Sequence, residues 1–346
     1  MMRKRNCSIV CLRVVSTLLI VLCHIIKYYT FIPGSAHFNQ FLDVGVQVFL
    51  LISGYLYGGK IIKDYNVWFY GRAKRIWLPE IIVVVFDVTI MALMNIKTDS
   101  ITFIIYLFNL QGILFLNWRL FSRVIKEITN CGPLWFTTII MICYLIVPLL
   151  QNIYTRFTCG KKHPAFRCTM ALSGLYVITI LLSAAGVADL SCIIMFIVGY
   201  SFGSLGFNKA YTGIKTSVLI SLTMIFLQAI RVVLRIKISD FPYYATYTII
   251  SHAALGIWIF YIVFMIERKF PIFIRKLAEN KVVKRLDSVS YYTYLVHGLF
   301  CMGTAFNVYI NIGNLWLSTV LFALMTIVSS FALNKLTDVI VKQLPR

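Results

Sequence analysis

The sequence predicts an all-α protein, a polytopic integral membrane helix bundle, and three observations predict it. Residues of the types AVILMFWYC fill 60% of the 346 positions. Asp, Glu, Lys and Arg fill only 13%, whereas a soluble protein carries roughly a quarter. The apolar residues also come in runs of about 17–25, the length that crosses ~30 Å of hydrocarbon as a helix. Barrel strands are excluded because they alternate polar and apolar residues and are about half as long.

Eleven apolar segments follow one another along the chain, and we predict that about ten of them cross the membrane, with both termini in the cytoplasm. The first segment follows a basic N-terminus and is too long for a signal-peptide core, so it is expected to remain as the first helix. No hydrophilic stretch is long enough for a separate soluble domain, which predicts a single membrane domain over residues 1–346. The segments lie near 9–28, 42–58, 76–95, 101–117, 134–151, 169–187, 190–206, 214–233, 246–266, 290–310 and 315–334.

The segment at 101–117 is the one that we predict does not cross. Counting it as a span would place the basic loops at 152–168 and 267–288 outside, against the bias of Lys and Arg toward the cytoplasm. If it is re-entrant or lies at the outer surface, both of these loops, the loop at 59–75 and the C-terminal tail fall inside. Its polar residues, Asn109 among them, favour this interpretation.

The net charge of +21 is also explained by the membrane. In a soluble protein such an excess would suggest a nucleic-acid partner, but in a membrane protein Lys and Arg collect in cytoplasmic loops. We therefore expect no nucleic-acid partner. The nine cysteines contain no C-x-x-C pair, so neither a zinc site nor a disulfide framework is predicted, and no metal is expected.

Two ionisable residues in the first helix are candidate functional residues, because charged groups at membrane depth are costly. Arg13 and His24 are eleven residues apart, which places them on one helix face about 16 Å apart along the axis. Histidine is the natural proton acceptor near neutral pH. The structural alternatives are an arginine that extends to the inner interface and a core histidine bonded to a neighbouring helix.

Other polar residues in apolar segments are candidates for binding or for structural pairing. Asp43 opens the second helix and could orient an imidazole, as a carboxylate does in hydrolytic triads, or cap the helix in solvent. Asp87 lies midway along the third segment and is expected to be paired within the bundle. His252 and His297 are further buried candidates.

Two groups of basic residues could bind anions. Arg231 and Arg235 share one helix face and could hold an acidic or phosphorylated acceptor, or anchor the helix at the interface. Arg72 and Arg75, with Lys74 between them, lie in the predicted loop before the third span. Such a cluster suits a phosphate-rich ligand, although the cytoplasmic bias of basic residues explains each charge equally well.

Five stretches resemble, in order, the motifs of the acyltransferase family 3 membrane proteins, and together they cover the whole chain. The chain departs from many members at one place, because the residues directly after Trp135, Phe136, Thr137 and Thr138, include no carboxylate. The stretches are the R-x10-H spacing of Arg13 and His24, Gly45–Phe49 with Ile52–Tyr55, Arg72–Ile76 (R-x-x-R-I), Leu134–Phe136 followed by Tyr144 and Pro148, and Ser290–Tyr291 followed by Tyr294–His297.

The resemblance implies O-acyl transfer, usually of acetyl, from cytoplasmic acetyl-CoA to a hydroxyl of a glycan that is often lipid-linked. It implies a multi-pass protein of the bacterial inner membrane, similar to the compact members that act on surface polysaccharides. His24 is then expected to be the general base or a transient carrier of the acyl group, and Arg13 to position donor groups. Further expectations are CoA-phosphate binding by Arg72, Lys74 and Arg75, and substrate binding by Asp43, Trp135, His297 and Arg231.

Two other classes of function remain open from the sequence. A transporter or polysaccharide exporter also has about ten helices with buried charges, although the inverted repeats typical of many transporters are absent here. Within the resembling family, some members of polysaccharide operons have been considered either exporters or succinyl-type modifiers. The third class is a membrane sensor or scaffold.

Overall fold

The regular structure of the chain is helical throughout the described residues. The computed structural model describes residues 6–32, 34–125, 131–158, 162–206, 213–237, 244–303 and 306–344. The helices are α1 (Cys7–Ile25), α2 (Ser35–Leu42), α3 (Gly45–Tyr57), α4 (Tyr65–Leu93), α5 (Ser100–Leu107), α6 (Gln111–Phe115), α7 (Trp118–Val124), α8 (Trp135–Leu145), α9 (Val147–Thr158), α10 (Pro164–Ala184), α11 (Ser191–Leu205), α12 (Ile214–Lys237), α13 (Tyr244–Lys269), α14 (Pro271–Glu279), α15 (Lys281–Cys301), α16 (Val308–Asn311) and α17 (Leu315–Gln343).

The predicted polytopic membrane bundle is confirmed. Within the described residues, seven helices are long and apolar enough to cross a membrane. The pair formed by α8 and α9, bent by 44°, would add an eighth span if it crosses as one unit. The count of ten and the cytoplasmic location of both termini remain predictions.

The segment at 101–117 does not form one spanning helix. It consists of α5 and α6, which have eight and five residues, whereas a helix needs about 20 residues to cross. The break lies at Asn109, whose φ of 53° is in the left-handed region that asparagine tolerates. No single helix covers the segment, in line with the prediction, and its failure to cross the membrane stays a prediction.

The basic stretches predicted as loops are largely helical, which corrects the sequence interpretation. The Arg72–Arg75 cluster lies within α4, which begins at Tyr65 and is capped by Asp64, whose side chain accepts from the Val67 N–H at 3.0 Å. The stretch at 267–288 contains α14 and the start of α15. The prediction ended each helix with its apolar run, but α4 begins at its cap, Asp64, and its first turns carry polar and charged side chains.

The chain divides into two compact units whose segments alternate along the sequence. The first unit consists of residues 1–16, 43–61 and 146–287, and the second of residues 17–42, 62–145 and 288–346. Two helices, α1 and α15, contribute to both units. The single membrane domain stays a prediction.

Glycines allow the closest helix contact of the first unit, between α3 and α11. A Cβ on Gly54 would overlap the carbonyl oxygen of Phe196, and one on Gly199 would overlap that of Leu51. Small residues at a helix crossing let two backbones approach in this way. The close crossing of α3 and α11 gives the glycine at position 54 a structural role.

Tyrosine hydroxyls fix α15 within the second unit. Tyr291 donates to the backbone oxygen of Ile76 on α4 at 2.8 Å, and Tyr294 donates to that of Pro133 just before α8. The C-terminal end of α15 is held by Tyr28, which donates to the backbone oxygen of Cys301 at 2.7 Å. These bonds fix the part of α15 that carries His297.

Candidate active site

The second unit brings His24 and His297 together. His24 lies in the last turn of α1 and is half-buried, whereas His297 on α15 is fully buried. The Nδ1 atom of His24 lies 3.2 Å from Nε2 of His297, and the ring centroids are 4.9 Å apart. An imidazole pair of this kind joins two helices that are more than 270 residues apart in sequence.

The hydrogen-bond partners assign the tautomers of both neutral rings. His297 Nδ1 lies 2.6 Å from the carbonyl oxygen of Tyr294, which can only accept, so this nitrogen carries the hydrogen and Nε2 carries the lone pair. His24 Nδ1 lies 2.8 Å from the carbonyl oxygen of Ile20 and therefore carries its hydrogen as well. That hydrogen faces two acceptors, the Ile20 oxygen and His297 Nε2. The basic lone pair of His24 is consequently on Nε2.

Aromatic side chains hold the chain just beyond His24. Tyr28 stacks on Tyr309 with ring centroids 4.3 Å apart, and its hydroxyl accepts a bond from Asn307 Nδ2 at 2.8 Å. Tyr29 contacts the hydroxyl of Thr319 at 2.5 Å. The C-terminal end of α1 is thereby fixed against α16 and α17.

Arg13 forms a two-point ion pair with Asp287 in the first unit. Arg13 Nε lies 2.9 Å from Asp287 Oδ1, and Nη2 donates to Oδ2 at 3.1 Å. The Nη2 contact is a hydrogen bond and the Nε contact is a close charge contact, so two nitrogens of the guanidinium group face the carboxylate, which a lysine could not reproduce. The Asp287 side chain is buried, whereas about a third of the Arg13 side chain is exposed.

The basic residues of α4 do not all face the same way. Arg72 and Arg75 are exposed and stand three positions apart, on one face of the helix. Lys74 points elsewhere, with its Nζ 4.0 Å from the ring centroid of Tyr70. A phosphate group could therefore be held by the two arginines together, and Lys74 is not part of that face.

The first unit contains a carboxylate–imidazole contact, but its imidazole is that of His252. Asp43 Oδ1 lies 2.6 Å from His252 Nε2 on α13. Asp43 therefore does contact an imidazole, as the sequence allowed. Arg231, also in this unit, is buried on α12, one turn after Gln228, which donates to the backbone oxygen of Ser251 at 3.0 Å.

Trp135 begins α8 in the second unit and stacks on Phe115, with ring centroids 4.0 Å apart and planes 6° from parallel. The carboxyl group of Glu80 is fully buried and bonds to Thr137, two residues after Trp135. Asp87 lies about two turns after Glu80 on α4 and accepts a hydrogen bond from the thiol of Cys131 at 3.5 Å. The expectation that Asp87 is paired within the bundle is confirmed.

The sequence model of a family described as an acyltransferase domain, the acyltransferase 3 family, matches residues 8–335. The chain belongs to the acyltransferase 3 family. Comparisons with curated proteins and with solved structures found no match.

As a member of the acyltransferase 3 family, the chain is a multi-pass membrane transferase whose reaction needs an acyl donor and an acceptor. Acyl transfer from a thioester to a hydroxyl needs a base for the hydroxyl proton. Among the described residues, no group of three or more His, Cys, Asp or Glu side chains lies close enough to hold a metal.

Two residues of this acyltransferase were missed by the sequence interpretation, Asp287 and Glu80. Asp287 follows a run of basic residues and therefore resembles an ordinary interfacial charge. Glu80 lies inside the apolar segment at 76–95, where the cost of a buried carboxyl group could have identified it, as it did Asp87. Their partners, Gln111 and Thr137 for Glu80 and Arg13 for Asp287, are all distant in sequence. Only the folded structure shows these contacts.

Proposed function

We propose that this acyltransferase moves an acyl group, acetyl in the first instance, from acyl-CoA to a hydroxyl of a cell-surface or lipid-linked glycan at the bacterial inner membrane. The observation that carries the proposal is the tautomer of His24, whose lone pair on Nε2 is set by the bonds of Nδ1 to Ile20 and His297. A base with a fixed tautomer is what hydroxyl deprotonation requires.

In this reaction His24 Nε2 takes the proton of the acceptor hydroxyl as its oxygen attacks the thioester carbonyl carbon. The C–O bond forms, the C–S bond breaks, and the CoA thiolate leaves and takes the proton from Nε2 of the His24 imidazolium, which restores the neutral base. The imidazolium that forms on His24 keeps its Nδ1–H bond to the neutral His297 ring. His297, which is fully buried, orients the base in this scheme.

The basic groups are assigned to the donor. Arg72 and Arg75, exposed on one face of α4, hold CoA phosphates, and Lys74 contributes charge from the neighbouring face. Arg13 positions donor groups with a guanidinium that is paired with Asp287. Asp43, Trp135 and Arg231 are assigned to substrate binding, on the basis of their polar or aromatic side chains in otherwise apolar segments.

The proposal is tested on cell-surface glycan from a deletion strain complemented with wild type, His24→Ala or His163→Asn. Proton NMR before and after mild base treatment reports O-acyl groups. His163 is an exposed histidine at a left-handed backbone position, which asparagine tolerates, so its variant is the matched control.

The proposal predicts a base-labile acyl signal with wild type and His163→Asn, and its absence with His24→Ala at equal protein level. If no acyl signal is seen with wild type and the glycan disappears from the surface of the deletion strain, the chain acts as an exporter. If His24→Ala keeps the acyl signal, His24 is not the base.

A further inference from the structure

Glu80 is a buried acid that the proposed reaction does not use. It follows Pro79 within α4 and is fully buried in the second unit. Its Oε1 atom accepts from Gln111 Nε2 at 2.5 Å and from Thr137 Oγ1 at 2.8 Å. A carboxyl group at this depth is costly, which makes Glu80 a candidate functional residue.

Hydrogen bonding, not charge pairing, is what Glu80 provides to its surroundings. Both bonding partners are neutral, one amide and one hydroxyl. Within the part of the chain that the structure describes, no basic side chain forms an ion pair with Glu80. Its contribution is therefore an acceptor at a fixed position.

The partners of Glu80 fix the start of α8. Gln111 Nε2 lies 3.0 Å from the backbone oxygen of Leu134, and Thr137 is in the first turn of α8. A second contact holds the same turn, because the Gly112 N–H donates to Thr138 Oγ1 at 3.0 Å. The backbone around residues 133–138 is thus fastened to α4 and α6 through buried polar groups.

This fastened backbone is bonded in turn to the histidine pair. The backbone oxygen of Pro133 accepts from the Tyr294 hydroxyl, and the backbone oxygen of Tyr294 accepts from His297 Nδ1. His297 Nε2 then accepts from His24 Nδ1. Every member of this series belongs to the second unit.

We propose that Glu80 is a positioning residue that, through the backbone at residues 133–138 and Tyr294, holds His297 where its Nε2 accepts from His24 Nδ1. Its role in catalysis rests on the proposed function, in which His24 is the base, whereas its effect on the contact between the two histidines does not. Glu80→Gln keeps an oxygen that can accept both bonds and should keep this contact. Glu80→Leu removes the acceptor and should break the contact.

The first readout is nitrogen NMR of purified protein labelled with ¹⁵N-histidine. The chain has five histidines, and the His24 signal is identified by its loss in His24→Ala. We expect the same His24 Nδ1 signal in wild type and Glu80→Gln, and a shifted signal in Glu80→Leu, because its hydrogen then faces only the Ile20 oxygen. An unchanged His24 signal in folded Glu80→Leu would overturn the proposal.

The second readout is a double-mutant cycle in kcat, because residues that act through one series of contacts are not additive. Glu80→Leu should lower kcat by on the order of 10²-fold while the KM for acyl-CoA stays close to the wild-type value. Adding Tyr294→Phe should cost little more, since the same series is already broken. The control is Thr326→Val, a buried position on α17, whose effect should multiply with that of Glu80→Leu.

The outcomes separate the two proposals. Multiplying effects of Glu80→Leu and Tyr294→Phe, or a Glu80→Gln variant as inactive as Glu80→Leu, would overturn positioning by Glu80. A wild-type protein without acyl transfer, in which Glu80→Leu still shifts the His24 Nδ1 signal, would overturn the proposed function and leave the positioning intact.

Discussion

At the scale of single residues, the account depends on which nitrogen of His24 carries the lone pair. Ile20 and His297 both accept from Nδ1, which directs the basic nitrogen, Nε2, away from them. The histidine pair thus resembles the base and its orienting group in hydrolytic triads, with an imidazole in the place of the carboxylate.

Replacement of His297 tests this orientation. His297→Phe keeps a ring but removes the acceptor, and we expect kcat to fall by on the order of 10²-fold, as for the loss of a positioned general base. His297→Gln can still accept from His24 Nδ1 and should retain more activity. Steady-state acyl transfer by purified protein measures both. Equal activity of the two variants would contradict the orienting role.

Replacement of Arg13 by lysine tests the ion pair in the first unit. Lysine keeps the charge but cannot place two nitrogens against the Asp287 carboxylate, as the guanidinium group does. We expect kcat/KM for acyl-CoA to fall about ten-fold or more in Arg13→Lys. Asp287→Glu, which keeps the carboxylate, serves as the comparison. Full activity of Arg13→Lys would show that charge alone suffices.

At the scale of helices, the crossing of α3 and α11 depends on glycine. Gly54→Ala should lower the melting temperature in detergent, because its Cβ would overlap the backbone of Phe196 and cavity-free packing leaves no room for it. The matched control is Gly71→Ala on α4, where the added Cβ meets open space. Alanine forms helix better than glycine by roughly 1 kcal/mol, so this variant should be as stable as wild type or more stable. A Gly54→Ala protein with unchanged melting would contradict the close crossing.

The sequence predicted the helices by their apolar runs, but not their full extent. α4 continues eleven residues before its predicted start at 76, because a capping residue, Asp64, sets its first turn. The segment at 101–117 was predicted not to cross, and Asn109 interrupts it as a helix. The apolar runs therefore placed the helices, whereas the cap at Asp64 set the start of α4.

The sequence marked candidate residues but did not predict their partners. Arg13 and His24 were candidates because of their depth and spacing, and their contacts on α15 are more than 270 residues away. The expected contact of Asp43 with an imidazole exists, yet the imidazole is that of His252. A single sequence shows which side chains are costly to bury, and only the fold shows what satisfies them.

At the scale of the whole molecule, the bias of basic residues still predicts ten spans with both termini inside. Reporter fusions after residues 162, 280 and 344 should all report the cytoplasm, and a fusion after residue 96 should report the outer side. A cytoplasmic signal at residue 96 or an outer signal at residue 280 would contradict this topology. The result decides which face of the membrane each proposed binding group meets.

The central claim is acyl transfer with His24 as the base, and transfer by purified protein tests it most directly. Wild type and His24→Ala are reconstituted with acyl-labelled acetyl-CoA and extracted glycan, and free CoA and base-labile label on the glycan are measured together. The account predicts equal amounts of CoA and labelled ester with wild type, and neither above background with His24→Ala. Ester formation by His24→Ala at the wild-type rate would contradict it.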